Sequence, residues 1–427
     1  MTLDPEIKGW CPSAHHPMIT GDGLLIRPRI IGASISNEQL YALAHIAERH
    51  GNGLLDLSQR GQFQIRGLTE QSYQYAVEAL IDHNLASKNN TPRVPVNIMV
   101  SPLSGLTSKR QETAQQLAER IKNILDATSE FSNLPPKFNL SINDCQILPL
   151  GESDADIAVN IITDQEIELS LAGDDEQIIQ TDSGTIIDAI LKIMRTYLDY
   201  AQRDPFQFRR LGKLLKTLSL DEFYKSAGLL NIKKTKNHTL NPCEYLGRHK
   251  HGDNYCIGFS AFSGRWQSRQ LVEIANLLTE YALSEIRITP WRALIIPTKD
   301  FKAAEKITKS LSTIGVITAR EDPRNLIITC PGSPGCLQAN GPTHDVALEL
   351  TEKLNTVPSG PRPYVHISGC KKGCANPAPS PFTVTLQDDH MAIIHNGSAH
   401  DAPHYCAPSI EKAIEYLNHF MTAQNNA

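Results

Sequence analysis

The feature that most constrains how this chain folds is an internal duplication. The stretch GDGLLIRPRIIGASISNEQLYALAHIA, beginning at Gly21, has a counterpart in GDNYCIGFSAFSGRWQSRQLVEIANLL, beginning at Gly252. Both run strand, turn, amphipathic helix. In the first copy Ser36 and Gln39 have capping-box spacing, and Leu40, Leu43, Ala44 and Ala47 form an apolar stripe. Leu271, Ile274, Ala275 and Leu278 hold the same register in the second. An alternating strand pair follows each helix, in LLDLSQRGQFQIRGL from Leu54 and IRITPWRALIIP from Ile286. A second helix is then marked by Ala76, Leu80 and Ile81, or by Ala304, Ile307 and Leu311. Strand, helix, strand, strand, helix is a ferredoxin-like half-unit. Two such halves, burying complementary faces, predict one pseudo-twofold domain.

Each half is followed by an α/β segment. The first has an apolar period at Ala114, Leu117, Ala118, Ile121 and Leu125, strand-like stretches in FNLSIND and DADIAVNII, and a long helix near 186–198. Its basic run FRRLGKLLKTL, from Phe208, reads as a solvated helix face. The second ends in a helix marked by Ile410, Ala413, Ile414, Leu417 and Met421. The expected fold is α+β, with half-repeats over 20–86 and 245–316 and α/β units over 90–235 and 322–423.

Charge and hydropathy narrow the function classes. With 41 Lys and Arg against 46 Asp and Glu, the net charge of −5 argues against a dedicated nucleic-acid or anionic-membrane binder. No run approaches the roughly 18 apolar residues of a transmembrane helix. The opening MTLDPEIKGW lacks a signal-peptide layout, so a cytoplasmic protein is expected.

Nine cysteines in a chain of 427 residues are the unusual entry in its composition, and a reducing compartment argues against a disulfide scaffold. Cys11, Cys145, Cys243, Cys256 and Cys406 are scattered and read mostly as small buried hydrophobes. The other four form two pairs, Cys330 and Cys336 in TCPGSPGC and Cys370 and Cys374 in SGCKKGCANP. A five-residue gap fits a zinc knuckle poorly. Four thiolates without histidine suit a [4Fe–4S] cluster, one iron to each cysteine. The adjacent glycines leave backbone amides free to point at the sulfurs and tune the cluster.

C-x5-C followed by C-x3-C resembles the cluster signature of the sirohaem-dependent sulfite and nitrite reductases, and the order of segments resembles that superfamily from Gly21 to Leu417. Within it the chain looks most like the precorrin-3B synthases, the monooxygenases of oxygen-dependent cobalamin synthesis. The likeness rests on GWCPSAHHPMITGDGLLIRPR, HGNGLLDLSQRGQFQIRGL, VSPLSGL, LPPKF, RITPWRALIIP, CPGSPGC and VHISGCKKGCANP. The reductases surround a small anion with cations from an R-N pair, a K-F-K tripeptide and a T-x-R strand. Here those positions read Val96-Asn97, Lys137-Phe138-Asn139 and Ser58-Gln59-Arg60, so two cations are missing.

The resemblance implies hydroxylation of precorrin-3A at C20 by dioxygen, with the ring A acetate closing a γ-lactone. It implies the 4Fe–4S cluster, a mononuclear non-haem iron, and the substrate macrocycle in the space that sirohaem fills in the reductases. Sirohaem itself, with Cys374 bridging to it, belongs to the alternative that the chain is a reductase. Arginines facing the cavity would pair with the macrocycle's carboxylates. The candidates are Arg27, Arg29, Arg60, Arg66 and Arg292, with Lys137. Arg60 and Arg292 are expected at equivalent points of the two repeats. No G-x-G-x-x-G occurs, so electrons are expected from an external donor, an NADH-linked reductase or a ferredoxin. His15, His16, His366 and His395 are possible iron ligands, but no H-x-D or H-x-E pattern selects among them.

Overall fold

A computed structural model describes residues 10–88, 96–106, 112–144, 148–150, 155–172, 177–204, 208, 210–229, 232–234, 245–354 and 363–425. The first half-repeat contains strands β1 (Met18–Thr20), β2 (Gly23–Ile26) and β3 (Ser34–Ser36), helix α1 (Asn37–His50), strands β4 (Leu54–Leu57) and β5 (Phe63–Leu68), and helix α2 (Glu70–Asp82). The capping box forms as expected: Ser36 Oγ accepts from the Gln39 amide and Gln39 reaches back to the Ser36 amide.

A first α/β unit follows. It comprises β6 (Asn97–Val100), α3 (Ala114–Ala127), β7 (Asn139–Asn143), β8 (Ile157–Thr163), β9 (Glu166–Leu171), β10 (Gln177–Thr181), α4 (Ile186–Ala201), α5 (Leu211–Leu215), α6 (Leu220–Ser226) and β11 (Ile232–Lys234). The second half-repeat then supplies β12 (Gly247–His251), β13 (Asn254–Ser260), β14 (Arg265–Gln267), α7 (Ser268–Glu280), β15 (Glu285–Ile288), β16 (Ala293–Thr298) and α8 (Phe301–Thr313). The last unit holds β17 (Ile327–Thr329), α9 (Thr343–Lys353), β18 (Val365–Ser368), β19 (Ser380–Leu386), β20 (Met391–Gly397), β21 (Tyr405–Ala407) and α10 (Ile410–Asn425).

The two halves exchange strands. One sheet runs β1-β2-β5-β4-β14 and the other β12-β13-β16-β15-β3, so each takes its last strand from the other repeat. Ile35 opposes Ile286 at one crossing and Trp266 opposes Leu55 at the other. One core runs through both halves, with the α1 stripe and the α7 stripe buried together and Trp266 wholly enclosed against the edge of Phe259. Each exchange covers the edge of β4 or β15 with a strand of only three residues, and a short edge strand offers little template for further pairing.

The α/β units repeat each other as well. In the first, β6-β7-β8 pair parallel and β8-β9-β10 antiparallel; in the second, β17-β18-β19 pair parallel and β19-β20-β21 antiparallel. Each packs its own core. In the first unit, the loops after β6 and β7 are knotted by Asp144, which accepts from Ser101, Ser104 and the first amide of α3. The loops after β17 and β18 in the second unit carry the paired cysteines.

Two expectations are corrected here. The run from Phe208 is a solvated face only in part: Lys213 and Lys216 are exposed, but Leu211 and Leu214 are buried, and Arg210 pairs with the enclosed Asp156. Of the scattered cysteines only Cys256 is a buried hydrophobe, while Cys406 is exposed and Cys11 half-buried. Cys145 and Cys243 lie outside the described residues. No helix among the described residues is long and apolar enough to cross a membrane.

Candidate functional site

A cavity of about 1780 Å³ opens where all four units meet. Sites for drug-sized ligands measure roughly 300–1,000 Å³, so this one has room for a macrocycle. Eight arginines and lysines line it against two carboxylates, Asp56 and Glu321. An acidic chain thus encloses a basic pocket.

The four paired cysteines all line this cavity. Cys330 follows β17 and Cys370 follows β18, so two neighbouring parallel strands deliver both loops to one place. The thiols lie within each other's electrostatic reach, and burial pushes Cys370 up and Cys374 up to about 11. Thiols that resist ionisation alone become ligands when a metal supplies the compensating charge. The Gly369 amide already donates to Cys330 Sγ at 3.3 Å. Gly332 and Gly373 hold left-handed backbone at φ +64° and +62°, and a Cβ on Gly369 would meet Ala339 at 2.7 Å. This donor set fits a four-iron cluster. Among the described residues no three His, Cys, Asp or Glu side chains converge tightly enough for a single ion. Cluster thiolates, each on its own iron, stand farther apart than that.

The duplicated half-domain grips the cysteine loops from both sides. Gln59, on the β4–β5 loop, and Arg292, on the equivalent β15–β16 loop, both donate to the carbonyl of Ala375, at 2.8 and 3.0 Å. Ala375 directly follows Cys374. Arg66 spans Asp22 in two bonds of 2.9 Å, reaches Asp56 at 3.2 Å, and donates to the Gly335 carbonyl beside Cys336. Arg265, on the exchanged strand β14, closes the network with a two-pronged bond to Asp56. Burial opposes the Asp56 charge, but Arg265, Arg66 and His344 hold it below the usual carboxylate range.

The predicted arginines therefore separate by role. Arg27, Arg60 and Arg292 line the cavity, and Lys137 stands exposed on its wall. Arg60 and Arg292 are not equivalent, however: the matching turns closed by Ser58 to Gln62 and by Thr289 to Ala293 align Arg60 with Trp291, and Arg292 with Gly61, which has the same φ of +62°. Arg66 is on the wall but is 1% exposed with its donors committed, so it supports the cysteine loop. Arg29 is not on the wall: it pairs with Asp126 at 3.1 Å. Burial lowers the basicity of Arg27 and takes Arg292 down to about 10. Arg27 Nε and Arg292 Nη1 are buried with no protein partner. Of the anion-cage positions, Asn139 lines the cavity and Val96 is buried off it.

Arg210, Arg320, Lys372 and Trp291 were missed as wall residues. They come from four loops, and no periodicity connects them. The candidate iron histidines do not converge: His15 bonds the Ser87 carbonyl, His16 is exposed, His366 is enclosed in β18, and His395 packs on Phe382 and Phe420. None lines the cavity.

The pattern of the nitrite/sulfite reductase ferredoxin-like half domain matches residues 16–83 and 248–313. That of the nitrite and sulphite reductase 4Fe-4S domain matches residues 93–234, the first α/β unit. A precorrin-3B synthase of Sinorhizobium sp is 28% identical over 93% of this chain and 84% of its own length. A chloroplastic ferredoxin–nitrite reductase of Zea mays is 23% identical over 87% of this chain and 71% of its own. The solved Mycobacterium tuberculosis NirA protein superposes with a TM-score of 0.73 at 17% identity, covering 92% of this chain and 79% of that one.

Proposed function

The chain belongs to the nitrite and sulfite reductase superfamily, and from that premise we propose that it is a precorrin-3B synthase, an iron–sulfur monooxygenase of a tetrapyrrole. The observation that carries this reading is a basic, macrocycle-sized cavity that keeps four cluster cysteines while two cations of the reductases' anion cage are replaced by Val96 and Asn139. A reductase needs those cations because its small anion must be bound and protonated as electrons arrive. A polycarboxylate macrocycle needs instead cations that can meet its peripheral carboxylates, and Arg27, Arg60, Arg292 and Lys137 on the cavity wall support that reading.

The reaction inserts one oxygen atom of dioxygen at C20 of precorrin-3A and releases the other as water. Two electrons and two protons come from outside the substrate, and the ring A acetate forms the lactone. Cys330, Cys336, Cys370 and Cys374 would hold the 4Fe–4S cluster, which supplies one-electron transfer when bound. Arg66 and Arg292 hold the loops that present these cysteines to the cavity. No step is assigned to a mononuclear iron, because no ligand set for a single ion occurs among the described residues. The electron donor is an external reductase or ferredoxin.

The absorption spectrum of anaerobically purified protein tests the proposal. A broad shoulder toward the blue is expected from the cluster. Sharp Soret and long-wavelength bands would mean resident sirohaem and a reductase. Cys370→Ser should strip iron and sulfide together, and full retention of both would remove the ligand assignment.

A further inference from the structure

Trp291 and Arg292 are consecutive, yet both line the cavity. Neighbours on an extended strand point to opposite sides. Here Arg292 takes a left-handed backbone, φ +62°, a conformation that a long side chain adopts only under constraint and that concentrates at ligand clamps. Space is made for it: a Cβ on Gly264 would stand 2.7 Å from that of Arg292. The Trp291 indole stacks on Tyr245, ring centroids 5.0 Å apart and planes 11° from parallel. Tyr245 is buried and donates its hydroxyl to the Trp291 carbonyl at 3.3 Å. Trp291 is on the cavity wall and Tyr245 is not, so Tyr245 backs the indole from outside the cavity. Beside it, Arg292 is tied through Nη2 to Ala375, while Nη1 is buried with no protein partner.

We propose that Trp291 and Arg292 form a face-and-edge grip on the tetrapyrrole: the indole stacks on a conjugated face, and Arg292 Nη1 takes a peripheral carboxylate. That edge of the macrocycle is thereby set next to the Cys374 loop. The indole is held in place before the ligand arrives, so little freedom is lost on stacking. The inference rests on the tetrapyrrole reading of the cavity.

The test uses the full-length, cluster-loaded protein under anaerobic conditions and metal-free sirohydrochlorin, a tetrapyrrole with eight carboxylates, titrated by its own absorbance. Wild type should bind it. Trp291→Leu should bind about three- to tenfold more weakly, the range for loss of an aromatic stack, and Trp291→Phe should recover most of the loss. Arg292→Gln should weaken binding about tenfold. Cluster absorbance and thermal melting establish that each variant is folded. If wild type fails to bind, the tetrapyrrole reading falls and the grip with it. If wild type binds and the folded variants bind equally well, the grip alone is overturned. A Phe variant as weak as Leu removes the stacking role, and if Trp291→Leu loses its cluster, the Phe and Gln variants decide.

Discussion

At the scale of single residues, the site is built from groups held in states they would not choose alone. Arg292 keeps a left-handed backbone that costs a non-glycine residue about 1–3 kcal/mol. Arg292→Gly relieves that strain but removes the bond to Ala375 and loosens the unfolded chain, so the opposing effects should leave stability within about 1 kcal/mol of wild type while tetrapyrrole affinity falls. A parallel loss of both would show that Arg292 is there for packing. His366 is completely buried with neither ring nitrogen partnered, and burial takes it down to about 4. It is neutral in the folded protein, whereas the unfolded chain takes up the proton below about 6.5. Its contribution is complete above pH 6.5 and is lost as the pH falls toward 4, a decline of up to about 3 kcal/mol. His366→Phe should flatten the stability-against-pH curve over that window, as read by urea denaturation.

At the scale of elements, the strand exchange explains why the cysteine loops depend on the duplication. Asp56 on β4 pairs with Arg265 on the exchanged strand β14 and with Arg66 on β5, and Arg66 reaches the loop of Cys336. Asp56→Ala would strand the Arg265 guanidinium and take one of two carboxylate partners from Arg66, a change that costs about 3–5 kcal/mol. Reduced stability with fewer irons per chain is expected; lost stability with full iron content would uncouple the network from the loop. The α/β units supply the complementary comparison. The same loop pair that holds cysteines in the second unit is closed in the first by Asp144 and two serines. One topology thus brings four cysteines together once and builds a hydrogen-bonded brace once. The repeat of the half-domains was legible because amphipathic stripes recur at one spacing. The repeat of the α/β units was not, because their likeness lies in strand directions that leave no shared pattern of side chains.

At the scale of the whole molecule, charge is sorted. The chain is net negative, yet the cavity at the junction of its four units carries eight cations and two carboxylates. An octacarboxylate ligand should bind there with an affinity that falls as salt rises, measurably between about 0.05 and 0.5 M because screening shortens over that range. A salt-independent affinity would mean that Arg27, Arg60 and Lys137 take no part. Arg29 and Arg66 show why such residues cannot be ranked from sequence. All the arginine candidates sit on or beside strands of the two halves, but Asp126 takes Arg29 to the surface and Asp22 takes Arg66 inward.

The amino-acid sequence alone determined the duplicated halves, the helical faces, the capping box and the four cysteines that share one chemistry. These are properties of spacing along a chain, and local periodicity and ligand type encode them. Only the tertiary structure decided that β3 and β14 cross between halves, which arginines line the cavity, and that Trp291 stands beside Arg292 on one wall. Those outcomes depend on partners far away in the chain. A strand's alternation assigns its polar side without saying whether water, a carboxylate or a ligand lies opposite.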